Sequence, residues 1–105
     1  MRNAVIIDER DNVVVATYEL KAGDEVTYPL PSGGEGHLMA VQDIPLFHKI
    51  AREDIDKGEK VVKYGEYIGV ATRDIKAGEH VHVHNVESTD AVKAGMDGEA
   101  INEDL

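Results

Sequence analysis

The chain has no cysteine and no tryptophan, a single phenylalanine and three prolines in 105 residues. Without thiols it can make no disulfide, no thiolate nucleophile and no cysteine-bound iron–sulfur cluster or zinc site of its own. Basic residues are scarce: 11 Lys and Arg stand against 21 Asp and Glu, for a net charge of −10. Binding to a phosphate backbone needs a basic stripe, so the composition speaks against nucleic acid as a partner. It speaks equally against docking on an anionic membrane. No uninterrupted apolar run exceeds four residues, as at 4–7 and 13–16. That is far short of a membrane span or the apolar stretch of a signal peptide. These absences together point to a cytoplasmic protein. The length suits one domain with one modest core. It leaves little room for an enclosed pocket, so an enzyme of this size would take part of its active site from elsewhere.

The apolar residues are strongly β-branched and come in short segments. Segments 4–7, 12–18, 25–28, 37–41, 60–63, 67–71 and 80–86 read as strands, punctuated by glycines. No stretch before residue 87 keeps a helical period for three turns. The pattern is that of a small, irregular, mostly β domain over residues 1–86. A frame of Ala, three residues, an apolar residue, two residues, Gly, an acid, one residue and Val occurs three times. It runs from Ala16 through Leu20 and Gly23 to Val26, from Ala51 through Ile55 and Gly58 to Val61, and from Ala71 through Ile75 and Gly78 to Val81. Each copy reads as a structural corner, with the apolar residue plugging the core and glycine supplying a positive-φ turn. Residues 87–105 carry six acids against Lys93 alone and read as an acidic C-terminal tail or linker.

Three of the five histidines fall within six residues: His80, His82 and His84, followed by Asn85. On an extended strand, Val81 and Val83 would face the core and the imidazoles would line the other face, roughly 6–7 Å apart. Two of them with a third ligand could hold a divalent metal, or the strand could simply tolerate imidazole. A second candidate is His48 beside Lys49. A third is Lys63-Tyr64-Gly65-Glu66, where a cation and a phenol beside a turn glycine suit carboxylate binding.

Taken in order, Asp11-Asn12-Val13, His48-Lys49-Ile50-Ala51, Lys63-Tyr64-Gly65-Glu66 and Gly78 through Asn85 closely resemble the SAF-type β-clip domain of the altronate/galactarate dehydratase family. The small subunit of sulfolactate sulfo-lyase is a related branch. The resemblance covers roughly residues 4–86 and departs from the family pattern at two places. Phe47 stands where the family usually has glycine, and His80 where it more often has a bulky aromatic residue. The resemblance implies a β-clip fold that is either the N-terminal domain of a sugar-acid dehydratase or a free small subunit beside a large one, with the small subunit, inactive alone, as the expectation here. In that family a base removes the proton next to a carboxylate and a hydroxyl departs. It implies His48 and His84 for proton transfer or metal-shell contact, Lys49, Lys63 and Tyr64 for carboxylate binding, and His82 and Asn85 for positioning. A divalent metal, iron or similar, is expected mainly in a partner large subunit, with none assigned to this chain. The implied partners are that large subunit and a sugar-acid substrate, with self-association through open strand edges as a further expectation. The alternatives are sulfite as the leaving group, or a non-catalytic ligand-binding or assembly module.

Overall fold

The computed structural model describes residues 2–88. Among these residues there is no helix; nine short strands form three antiparallel sheets, the small mostly β architecture with irregular corners read from the sequence. The central sheet runs β1 (Ala4–Val5), β2 (Val13–Ala16), β5 (Lys49–Ala51), β8 (His80–Val81). A hairpin pairs β3 (Glu25–Pro29) with β4 (Glu35–Met39). The third sheet runs β6 (Lys60–Lys63), β7 (Glu66–Ala71), β9 (Val86–Ser88).

Two cores flank the central sheet because neighbouring side chains on a strand point to opposite faces. Val14 and Ile50, register partners, join Leu20, Val26 and Ile44 in one core. Val13 and Ala51, the next pair along, join Ile55, Val61, Ile75 and Val81 in the other. Both faces of β2 and β5 are therefore apolar. This explains why Val13-Val14-Val15-Ala16 is a continuous run rather than an alternating one.

The repeated frame turns out to have a fourth copy that its sequence disguises. Ala40 and Ile44 hold the places of the alanine and the apolar plug, but Phe47 and His48 replace the glycine and the acid. The four corners interlock in two pairs. Leu20 bridges Ile44, and Ile55 bridges Ile75. In the first pair the Gly23 amide donates to the Ala40 carbonyl at 2.7 Å and the Phe47 amide to the Ala16 carbonyl at 2.9 Å. In the second, the Gly58 amide donates to Ala71 and the Gly78 amide to Ala51, both at 2.8 Å. The corner residue is left-handed each time: φ is 96° at Gly23, 90° at Gly58 and Gly78, and 66° at Phe47.

The sequence expectation fails in two places. Segment 80–86 is not one strand: β8 stops at Val81, residues 82–85 turn, and β9 begins at Val86. Val83 is consequently 46% exposed instead of packed in the core. In addition, Lys49–Ala51, not among the strands expected from the sequence, forms β5 inside the central sheet between β2 and β8. The third sheet continues to Ser88, which is buried. Most of the acidic segment expected over 87–105 lies outside the described residues.

Candidate functional site

The disguised corner delivers His48. In the other three corners the acid accepts a hydrogen bond from the amide three residues before it: Asp24 from Lys21 at 2.8 Å, Glu59 from Asp56 at 2.7 Å and Glu79 from Lys76 at 2.7 Å. At the fourth corner that earlier residue is Pro45, which has no N–H to offer. No cap is needed there. The backbone turn persists, with the His48 amide donating to the Pro45 carbonyl at 3.0 Å. The imidazole is left available for something else.

It joins the other three histidines of the region. His48 Nδ1 and His80 Nε2 share a hydrogen bond of 2.8 Å, one ring nitrogen donating and the other accepting. The His48 ring stacks on His82 with centroids 4.2 Å apart, and lies 5.0 Å from His80. His80 in turn lies 5.1 Å from His84. His80 is thus the hub of a four-imidazole cluster, although its sequence position made it the weakest of the trio. The signal for it was present in the His80/His82/His84 spacing, but a regular strand predicts a row of rings and not a cluster.

Asn85 makes the difference. Its Oδ1 accepts the His82 amide at 2.9 Å, its Nδ2 donates to the His80 carbonyl at 2.9 Å, and its own amide donates to the His82 carbonyl at 3.1 Å. An asparagine satisfying its own neighbouring backbone is a turn device that competes with strand pairing. Arg73 adds a bond from its guanidinium to the His84 carbonyl at 3.2 Å. Asn85 thus holds the turn of the backbone that carries the rings.

Burial holds three of the imidazoles neutral. Loss of solvent is the main cause of the lowered proton affinity of His48, His80 and His82; the charges of neighbouring histidines and of Lys49 add to it. His80 is pushed down to about 4. Lys49 is 1% exposed, on β5 between Val15 and Val81, so its ammonium does not project into solvent and its charge is felt by His48, His80 and His82. Among the described residues, His82 Nδ1 is buried with no hydrogen-bond partner.

Lys63 and Tyr64 occupy a different place. They lie on the β6–β7 hairpin, where Tyr64 at φ 58° and Gly65 at φ 74° form a two-residue turn of the kind that matches strand twist. The Lys63 ammonium lies 4.9 Å over the Tyr64 ring. The Gly65 amide donates to Asp11 Oδ1 at 2.7 Å, which ties this turn to the start of β2. His48 sits at the other end of β2, its carbonyl accepting the Ala16 amide. At strand rise, Asp11 and Ala16 are roughly 15 Å apart. The structure brings His48, His80, His82, His84 and Lys49 together and sets Lys63 and Tyr64 apart from them.

The rings of His48, His80 and His82 are stacked, with interplanar angles of 12–29°, and His48 Nδ1 and His80 Nε2 are already spent on each other. Among the described residues no group of three or more histidines, aspartates or glutamates is arranged to hold a metal ion. The divalent metal expected from the resemblance is therefore given no ligands among these residues, and no step below is routed through one. No described helix is long and apolar enough to cross a membrane.

Comparison with known proteins fits this geometry into a family. The altronate/galactarate dehydratase SAF domain matches residues 2–89. The altronate dehydratase of Escherichia coli (strain K12) is 44% identical over 78 residues, covering 74% of this chain and 15% of its own length. That of Bacillus subtilis (strain 168) is 36% identical over 88 residues, covering 84% of this chain and 17% of its own. The (2R)-sulfolactate sulfo-lyase subunit alpha of Chromohalobacter salexigens is 38% identical over 86 residues, covering 80% of this chain and 92% of that one. The chain thus spans under a fifth of the dehydratases and nearly all of the sulfo-lyase subunit. With that family model matching nearly all of the described residues, the chain belongs to the altronate/galactarate dehydratase SAF domain family.

Proposed function

We propose that this chain serves as the small subunit of a sugar-acid dehydratase, acting with a large catalytic chain that completes the site. The observation that carries the reading is the cluster of imidazoles held neutral beside a buried ammonium. A neutral imidazole can accept the proton next to a carboxylate, and a nearby cation offsets the charge that then develops. In this reading His48 and His84 exchange protons with the substrate. His80 relays or orients through its bond to His48, while His82 and Asn85 hold the arrangement. Lys49 stabilises negative charge through its field, since its burial keeps it from direct contact. Lys63 and Tyr64 form a separate carboxylate-binding contact at the hairpin tip, too far along β2 to share one small acid with the rings.

Two relatives named as altronate dehydratases favour water as the leaving group. The sulfo-lyase subunit, matched along 92% of its length, favours a second reading in which sulfite departs instead. A panel of altronate, galactarate and sulfolactate on the reconstituted two-chain complex separates them. Ketoacid release from a sugar acid without sulfite is the expected result. Sulfite release alone moves the chain to the sulfo-lyase branch. No turnover on any of the three, from a complex that assembles, overturns an enzymatic role and leaves an assembly module.

A further inference from the structure

We propose that Phe47, flanked by Leu46 and Val83, is the anchor through which this chain docks its large catalytic chain; the inference rests on the small-subunit reading above. Three observations converge on this residue. The corner demands a left-handed backbone, which three of the four copies meet with glycine and this copy meets with phenylalanine at φ 66°. A side chain bearing a Cβ is disfavoured in that conformation. Among the described residues nothing repays that cost, because Phe47 is 68% exposed, the highest value among their large hydrophobic side chains. A bulky ring placed where glycine is the easy choice, and then left in solvent, has its use outside the chain.

Its position says where that use lies. Leu46, 48% exposed, and Phe47 directly precede His48; Val83, 46% exposed, stands between His82 and His84. Stacking of His48 on His82 brings the two segments side by side, so an apolar border adjoins the imidazoles. A partner seated on that border would cover the cluster and exclude water from it, which strengthens the electrostatics of the site.

The occupant follows from the comparisons and the charge. The sulfo-lyase relative is by name one subunit of a larger enzyme, and the dehydratase relatives devote more than four-fifths of their length to sequence beyond the matched part. A large chain of the same family is therefore the body that meets this domain. Aromatic side chains seated in pockets dominate such interfaces. The chemistry expected on that partner is an apolar pocket for one aromatic ring, with a basic rim that complements a chain of net charge −10.

The test titrates the intact chain with the purified dehydratase-family large chain of the same genome, by calorimetry, alongside Phe47→Gly, Val83→Ser and His84→Gln. Phe47→Gly is expected to raise the melting temperature by about 4 °C, by relieving the backbone. The same change should weaken association more than tenfold. Val83→Ser should weaken it several-fold, and His84→Gln should bind as the wild type while losing turnover. Wild-type binding with Phe47→Gly within twofold of it overturns the anchor and leaves the small-subunit reading standing. Failure of the wild-type chain to bind overturns both. A fall in melting temperature for Phe47→Gly also overturns the anchor, since the ring would then be serving this fold.

Discussion

His80 shows how one side chain can couple folding to protonation. Its ring shares one hydrogen bond with His48, lies against His82 and His84, and is held neutral well below the ordinary imidazole range, at about 4. A group whose proton affinity is lowered by folding stabilises the folded state fully above its unfolded value, near 6.5. That contribution is lost as pH falls from 6.5 through 4, because the unfolded chain takes up the proton first. His48 and His82 shift the same way and add to the effect. The melting temperature should therefore drop between pH 7 and pH 4.5. His80→Phe, which keeps a stacking ring without the proton, should drop less over the same interval. Parallel curves for the two proteins would show that the cluster does not carry the acid sensitivity.

At the scale of elements, the corner is the informative unit. Four corners share one backbone device, but only the one spanning Ala40 to Ile50 lacks both the glycine and the acid cap. Pro45 accounts for the lost cap: with no amide to satisfy, an acid at residue 48 would gain nothing. Restoring the donor by Pro45→Ala and the acceptor by His48→Glu should rebuild the bond found at Asp24, Glu59 and Glu79. The double variant should be more stable than the sum of the two single changes by about 1 kcal/mol, as one added hydrogen bond allows, read from urea unfolding. Simple additivity would mean that the corner is held by its backbone alone.

The same element shows what the sequence could and could not disclose. Three corners were legible because glycine, an acid and a β-branched residue recur at fixed spacing. The fourth was hidden because its two diagnostic residues are the ones replaced. Strand β5 was missed for a related reason: Lys49 is charged, and burial of a lysine inside a sheet leaves no hydrophobic pattern to read. The 80–86 segment alternates as a strand should, but Asn85 bonds its own neighbouring backbone and breaks it after Val81. That misreading placed Val83 in the core, and it also hid the clustering of the rings. Local chemistry at Asn85 outweighed a period-two pattern.

In the whole molecule, two corner pairs build two cores on either side of one central sheet, and the site sits where the irregular pair meets β8. Among the described residues the imidazoles lie partly exposed beside Leu46, Phe47 and Val83. In the proposed reading the arrangement is one wall of a pocket that a larger chain completes. The most direct measurement is turnover of a sugar acid by the two-chain complex carrying His48→Gln or His84→Gln, with association checked in parallel. The account predicts that each change lowers turnover by well over tenfold while the complex still forms. Near-wild-type turnover in both variants would contradict it.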